Sequence, residues 1–260
     1  MKRESFGSRL GFILVSAGCA IGIGNVWKFP YICGAYGGAA FILIYLCFLV
    51  ILGIPVLVAE FAVGRGSHTS VAKCFDKLAP AGSCWKPLKF IGIIGCYMLM
   101  MFYTTVGGWM IYYCVKSLRG DFVGATPEAV TQSFSDMLGN APTMMLWMVI
   151  ICLIGFAVCF MGLQNGIEKI SKVMMSALLI IMVILAVHSV MMEGAGEGIS
   201  FYLIPDFQKI KEAGVGNVVF AALSQSFFTL SIGIGAMLIF GSYLDKSRSL
   251  TGEAVSITVL

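Results

Sequence analysis

The chain has 260 residues, of which 59% are hydrophobic and 12% charged, and its mean hydropathy is +0.94. Soluble domains carry about 25% charged residues, so this composition excludes a soluble globular protein. The net charge of +4 comes from residues scattered between apolar runs, which indicates no nucleic-acid partner. We expect an all-α polytopic membrane protein that forms one transmembrane domain over residues 1–260 of a lipid-embedded chain.

Six apolar runs are long enough to cross a bilayer, at about 10–36, 38–63, 90–115, 142–163, 170–192 and 215–244. A seventh run begins near Ala254, and because the sequence stops at Leu260 we expect a C-terminally truncated protein. Segment 64–89 is predicted to be a short surface element, and segment 205–214 a small interfacial helix.

Lysine and arginine residues predict the orientation of the chain. With a cytoplasmic N-terminus, twelve of the 17 basic residues fall in inside segments and five in outside segments. The positive-inside rule therefore favours a cytoplasmic N-terminus. The very short N-terminal segment and an outside loop at 117–141 without an Asn-x-Ser/Thr acceptor indicate a bacterial inner membrane. No cluster of His, Asp, Glu or Cys converges in the spans, so we predict no enzyme and no catalytic residue.

The first apolar run contains three glycines, Gly18, Gly22 and Gly24, followed directly by Asn25. One interpretation is a packing face, because glycines four residues apart let two helices approach closely. The other is an unwound hinge whose free carbonyls line a site. The sixth run repeats the pattern over Gln225–Gly235, where a Gly-x-Gly pair again adjoins hydroxyl residues. Two matched interruptions five spans apart favour the hinge and an inverted repeat.

Two such hinges have a definite chemistry. Unwound backbone is tolerated in hydrocarbon only where it faces a protein cavity. Carbonyls freed at a break are hard oxygen ligands for a small cation, and the exposed N-termini of half-helices attract a carboxylate. The pattern therefore predicts a transporter that binds a sodium ion beside an amino-acid carboxylate.

The residues around these hinges resemble the neurotransmitter:sodium symporter family. The resemblance rests on Ile21 to Tyr31 (IGIGNVWKFPY), Gly37 to Phe41 (GGAAF), Gly53-Ile54-Pro55 and the run from Gln225 to Gly235. It covers essentially the whole chain. It implies a fold of eleven or twelve helices with discontinuous helices one and six, related as inverted repeats. This chain would hold the complete first repeat and only the beginning of the second.

The resemblance also implies site residues. One sodium ion would be bound by Ala20, Asn25 and Thr229, and another by the carbonyls of Gly18 and Ile21 with ligands from a later helix. The residues implied for substrate are Cys19, Ala20, Ile23, Gly24, Leu99, Tyr103, Phe228, Thr229, Ser231 and Ile234. Each has a structural alternative: Tyr103 as a packed aromatic, Asn25 as a bond to helix ends, and the Thr229 and Ser231 hydroxyls bonding one turn back along the helix.

Gates are implied in the same way. Arg3 matches the inner-gate arginine of the family and would approach Ser242 and Tyr243. Lys28 stands where the family usually has an outer-gate arginine, with Gln225 near it, so we expect a looser outer gate without the bidentate guanidinium. Glu60 is an ionisable group inside a span, for which we predict a structural bond to the unwound part of span six or to its neighbours.

Two positions bear on the substrate. Gly22 falls where family members that carry monoamines have an aspartate, so the resemblance favours an amino acid that brings its own carboxylate. Phe228 and Leu99 indicate an apolar or aromatic side chain. Chloride coupling is left open. The main alternative function is a truncated fragment that does not transport, and a channel is a further one.

Overall fold

The fold is a bundle of helices, seen in a computed structural model that describes residues 6–22 and 24–260. Four helical segments are long and apolar enough to span a membrane: Ala39–Ser67, Leu88–Arg119, Ala141–Phe160 and Leu163–Val190. A fifth candidate span is the pair Arg9–Ala20 and Gly24–Ala35, which is bent by 52° at its break. The described residues contain no strand. The prediction of an all-α polytopic membrane protein is confirmed.

The helices follow one another in this order: α1 (Arg9–Ala20), α2 (Phe29–Ala35), α3 (Ala39–Phe48), α4 (Ile54–Ser67), α5 (Val71–Leu78), α6 (Leu88–Arg119), α7 (Pro127–Gly139), α8 (Ala141–Phe160), α9 (Lys169–Val190), α10 (Ala195–Leu203), α11 (Phe207–Ala213), α12 (Val215–Thr229), α13 (Ala236–Gly241) and α14 (Leu250–Val259). Wider π-helical turns lie at Gly24–Lys28, Leu49–Gly53 and Leu163–Glu168. Such turns are frequent at functional sites, and the apolar pattern of the sequence did not predict them.

The chain divides into two compact units, one formed by the residues up to Gly92 and from Leu163 onward, the other by Ile93–Gly162. Within the second unit, Gly108 of α6 lies against the backbone at Met148 of α8, where a side chain would collide. The Lys116 ammonium donates to the hydroxyl of Ser133 on α7 at 2.7 Å. The outside loop expected at 117–141 contains the helix α7, and the Thr126 side chain caps this helix at its N-terminus.

The core of the first unit surrounds the interrupted sixth span. Its fully buried side chains include Phe12, Phe41, Leu57, Phe61, Leu230 and Met237. Leu230 lies in the interruption itself, so the segment without helix is anchored by burial. Helices α4 and α13 pack closely because Gly64 and Gly241 present no side chain at the contact.

Large apolar side chains remain exposed along the outer helices. Phe156 and Phe160 of α8 are 75% and 94% exposed, and Val183 of α9 is 63% exposed. A soluble protein rarely exposes so much apolar surface in one region. In a membrane-spanning chain this surface faces lipid or further helices, which fits the composition.

Two segments differ from the sequence prediction, and a third agrees with it. Segment 64–89 contains a regular helix, α5, and the seventh apolar helix begins at Leu250 instead of near Ala254. The earlier start follows from Ser249, whose hydroxyl accepts a hydrogen bond from the Gly252 amide and caps α14. The small helix expected at 205–214 is present as α11.

Close packing of α4 on α13 predicts that Gly64→Ala is destabilising. The added methyl group would overlap the Leu238 carbonyl oxygen, which is backbone and cannot rotate away. We expect a loss of about 1–3 kcal/mol in stability, measured as a lower melting temperature of the detergent-purified protein. Gly66→Ala in the same helix is the control, since its methyl group would meet only Leu78 at ordinary contact distances of 3.7 and 3.8 Å. Equal melting temperatures of the two variants would contradict this account.

Candidate functional site

The first break separates α1 from the π-helical turn that begins at Gly24. Helix α1 ends at Ala20, and the Ile21 amide donates to the Ala17 carbonyl. The Gly22 carbonyl then accepts from the Asn25 amide at 3.0 Å, which starts the next turn in a new direction. The last carbonyls of α1 therefore lie outside a regular helical ladder and accept from groups other than the next turn of the helix.

The second break occupies the segment between Thr229 and Ala236. Gly233 and Gly235 adopt positive φ values of 88° and 81°, which only glycine adopts readily. Ser231 also has a positive φ, of 50°. A left-handed backbone at a residue with a side chain costs about 1 kcal/mol, so other contacts must hold Ser231 in place.

Three contacts join the two breaks. The Ser231 hydroxyl donates to the Cys19 carbonyl at 2.8 Å. The Gln225 amide, which is buried, donates to the Gly24 carbonyl at 3.3 Å. Gly24 also lies so close to the Phe228 ring that a methyl group at this position would overlap it. The absence of a side chain at Gly24 is therefore a requirement of the contact.

The residues predicted for one sodium ion lie together at this junction. The Thr229 hydroxyl donates to Asn25 Oδ1 at 3.0 Å, and Asn25 Nδ2 donates to the Ala20 carbonyl at 3.1 Å. One carbonyl, one amide and one hydroxyl oxygen are thus brought within a single small volume. Uncharged hard oxygens of this kind suit a small hard cation, so the residues present fit a sodium ion.

Tyr45 completes this cluster and was not identified from the sequence. Its hydroxyl donates to Thr229 Oγ1 at 3.1 Å from helix α3, and its side chain is buried. The bond directs the donor of Tyr45 at Thr229, which leaves the Thr229 hydroxyl free to donate to Asn25. From the sequence, a tyrosine within an apolar span is interpreted as a packed aromatic side chain. Only the tertiary structure shows that the Tyr45 hydroxyl contacts Thr229.

The carbonyls predicted for the other sodium ion belong to Gly18, in the last turn of α1, and Ile21, just beyond it. Gly18 faces helix α9, where a methyl group would stand 3.1 Å from the sulfur of Met175. The role of these two carbonyls stays a prediction.

Glu60 of α4 supports the second break directly. Its carboxylate accepts from the Gly233 amide at 2.5 Å and from the Leu238 amide at 3.2 Å. The two amides lie in the break and in the first turn of α13, where a helix has no internal acceptors. The predicted bond between Glu60 and the unwound part of span six is confirmed.

The remaining residues predicted for substrate are distributed as follows. Phe228 lies in the last turn of α12, and Ile234 lies in the second break. Leu99 and Tyr103 lie four residues apart on α6, within the second unit and on one face of the helix. Ile23 lies outside the described residues. Contact of these side chains with a substrate stays a prediction.

Four of the five predicted gate residues, Lys28, Gln225, Ser242 and Tyr243, lie in the described part of the first unit. The Lys28 ammonium lies 5.2 Å from the centroid of the Phe228 ring, a cation–π distance. Tyr243 stacks edge-on with Phe6 at 6.0 Å, and Ser242 is buried with its carbonyl 3.1 Å from His68 Nδ1. Arg3 lies outside the described residues. Gating stays a prediction for all five residues.

The sequence analysis did not identify Glu168, a buried acid, as a structural residue. Glu168 is 3% exposed, and its carboxylate accepts from the Gly7 amide at 2.9 Å and the Lys172 ammonium at 2.7 Å. It holds the start of α1 against the π-helical turn before α9. The only signal in the sequence was a glutamate with a lysine four residues later.

A bundle of apolar helices in which two interrupted helices meet at a cluster of uncharged oxygens is the arrangement found in secondary transporters with discontinuous helices. The family comparison agrees: the model of the Sodium:neurotransmitter symporter family matches residues 3–132 and 121–260. The chain belongs to this family. Its members are transporters, so the prediction that the protein is not an enzyme is confirmed.

Individual relatives point the same way. The chain is 35% identical to the sodium-dependent transporter YhdH of Bacillus subtilis over all of its own length and 56% of YhdH. It is 33% identical to a sodium-dependent transporter of Methanocaldococcus jannaschii, over all of this chain and 53% of that protein. The crystal structure of MhsT in complex with L-phenylalanine matches with a TM-score of 0.89 and 37% identity, over 99% of this chain and 58% of MhsT. The chain thus spans a little over half the length of these relatives.

The contacts of Glu60 predict the effect of Glu60→Gln. A glutamine has one acceptor oxygen, so one of the two amides, Gly233 or Leu238, loses its partner. We expect a loss of about 1–3 kcal/mol in stability, read from the melting temperature in detergent. Glu212→Gln, at an exposed position of α11, makes the same chemical change and should leave the melting temperature unaltered. A Glu60→Gln variant as stable as the Glu212→Gln control would show that Glu60 does not support the break.

Proposed function

We propose that the complete protein is a symporter that couples the entry of sodium to the transport of an amino acid by alternating access. The observation that carries this proposal is the oxygen cluster of Ala20, Asn25 and Thr229 at the junction of the two breaks. The cluster draws its members from both broken helices. A bound cation would therefore tie the two helices together, and its loss would let them separate.

The substrate class follows from the polarity of the same junction. Half-helices whose amides begin at the break attract an anionic group, which a substrate carboxylate supplies. Gly22 offers no acid to pair a lone amine, so an amine without a carboxylate lacks a partner there. The Phe228 ring supplies an apolar wall beside Gly24. We infer an amino acid with an apolar or aromatic side chain, and the L-phenylalanine bound by MhsT is consistent with this.

The residues at the junction have different roles in the proposed transport. Asn25, Ala20 and Thr229 bind the ion, and Tyr45 orients the Thr229 hydroxyl toward Asn25. Ser231 and Gln225 hold the breaks in register through the Cys19 and Gly24 carbonyls. Gly18 and Ile21 contribute carbonyls to a further sodium site. Chloride coupling is left open.

The proposed setting is a bacterial inner membrane with a cytoplasmic N-terminus, supported by the twelve-to-five distribution of basic residues and by bacterial relatives. The alternative function is a non-transporting fragment. It is supported by the share of relatives that the chain spans, 56% for YhdH. Sodium-dependent uptake by proteoliposomes that contain only the 260 residues would refute this alternative, because a non-transporting fragment should show none.

Sodium coupling is tested by uptake of radiolabelled L-phenylalanine into proteoliposomes that contain the complete protein. We expect uptake in an inward sodium gradient and almost none when potassium replaces sodium. Asn25→Leu should reduce uptake at least about tenfold, because it removes an ion-binding oxygen. Asn217→Leu makes the same substitution at an exposed position and should retain uptake. Uptake equal in the two salts, or full activity of Asn25→Leu, would refute the proposal.

The bond between Tyr45 and Thr229 predicts a second effect on transport. Tyr45→Phe keeps the buried ring and removes only the hydroxyl, so the protein should remain folded. We expect the sodium concentration for half-maximal uptake to rise severalfold while uptake at saturating sodium is retained, since an orienting bond is lost but the ion-binding oxygens stay. Tyr97→Phe, at an exposed position of α6, is the control. An unchanged sodium dependence in Tyr45→Phe would remove Tyr45 from the site.

A further inference from the structure

The connection from α4 to the start of α6, residues 68–90, concentrates positive charge at one place on the first unit. Its charged residues are four lysines and a single acid, namely Lys73, Lys77, Lys86, Lys89 and Asp76. All of them are exposed except Lys89, which is half-buried. The sodium cluster and the two breaks use none of these residues, so the charge has no part in the site described above.

Helix α5, which carries two of these lysines, is attached to the first unit by one face. Val71 is buried and packs with Leu238 of α13. The residues Lys73, Asp76 and Lys77 follow at helical spacing and lie on an exposed face of α5. A helix fixed by its apolar face therefore presents its lysines to the surroundings of the protein.

An ion pair joins this exposed face of α5 to the first turn of α6. Lys89 Nζ donates to Asp76 Oδ2 at 2.7 Å and to Oδ1 at 2.9 Å. The pair brings the lysines of both elements to one surface and neutralises the single acid of the connection. In the described part of the chain, Lys73 and Lys86 form no ion pair. Their two charges therefore remain uncompensated.

An exposed tryptophan accompanies the lysines at the end of a membrane span. Trp85 is 64% exposed and stands three residues before Leu88, where the span α6 begins. Phe90 and Ile91 are 58% and 65% exposed, so the apolar outer surface of this span begins directly after the lysines. Tryptophan is enriched where hydrocarbon meets the headgroups, because its ring is apolar and its N–H is polar. This position places Trp85 at the level of the headgroups.

We propose that the four lysines and Trp85 form a docking surface for the headgroups of anionic phospholipids in the surrounding bilayer. The lysine ammonium groups attract the lipid phosphate, and the Trp85 ring packs against the upper part of the acyl chains. A zwitterionic lipid is attracted less, because its headgroup carries an ammonium group of its own. An acidic protein segment would match the charge but would not account for a tryptophan at the boundary of a span. The proposal does not rest on the proposed function.

The test measures the fluorescence of Trp85 in the complete protein, held in nanodiscs of phosphatidylcholine and the anionic lipid phosphatidylglycerol. Bromine atoms on the acyl chains quench a tryptophan that they touch. One set of discs carries bromine on the phosphatidylglycerol, and a matched set carries it on an equal fraction of the phosphatidylcholine. The signal that is missing in Trp85→Phe isolates Trp85 from the other tryptophans. We expect brominated phosphatidylglycerol to quench Trp85 at least about twofold more strongly than brominated phosphatidylcholine.

Two double variants compare lysines at different positions. Lys73→Gln with Lys86→Gln removes the two uncompensated charges and should make quenching by the two lipids equal. Lys209→Gln with Lys211→Gln removes the same charge from exposed positions of α11 and should keep the preference. Potassium chloride at about 1 M should also abolish the preference, because it screens charges beyond a few ångströms. All four substituted lysines are exposed, so each variant is expected to fold.

Three outcomes would overturn the proposal. Equal quenching by the two lipids in the unmodified protein would show that the surface does not select anionic headgroups. A preference that survives the Lys73→Gln and Lys86→Gln double variant would assign the selection to other residues. Quenching by neither lipid would place Trp85 away from the bilayer and leave the surface to a soluble acidic partner. Transport enters none of these measurements, so a failure of sodium symport would leave this surface standing.

Discussion

The contact between the two broken helices is the constraint on which the rest of the first unit depends. A helix that unwinds inside a membrane exposes backbone groups that lipid cannot satisfy. Here side chains of the sixth span satisfy carbonyls at the first break, through Ser231 on the Cys19 carbonyl and Gln225 on the Gly24 carbonyl. The same contact brings the Thr229 hydroxyl to Asn25. The residues that satisfy the interrupted backbone therefore lie beside the oxygens that we propose bind sodium.

The surrounding helices hold this junction from outside. Glu60 of α4 binds two amides of the sixth span, and the glycine contact at Gly64 lets α4 approach α13 closely enough for that bond. Tyr45 of α3 reaches the Thr229 hydroxyl from the other side. A charged group and two glycines therefore hold the break in place, where an apolar helix would offer only packing. This arrangement keeps the oxygens of the proposed sodium site together although no continuous helix connects them.

Ionic contacts concentrate at the opposite end of α1. Glu168 binds the Gly7 amide and Lys172, and Glu253 binds Arg9. Both acids are almost fully buried, so each gains its stability from a partner on the N-terminal segment. The first helix is thereby anchored by hydrogen bonds and charge at its start and by the junction at its end.

The sequence by itself determined the membrane class, the spans and the two breaks, because hydropathy, glycine and proline act locally along the chain. It also determined the oxygen-bearing residues Asn25 and Thr229, whose pattern resembles a known family. Only the tertiary structure decided that Ser231 donates to the Cys19 carbonyl and that Tyr45 donates to the Thr229 hydroxyl. These contacts join residues up to 212 positions apart. No local pattern encodes such a pairing, since it depends on how helices distant in sequence pack against one another.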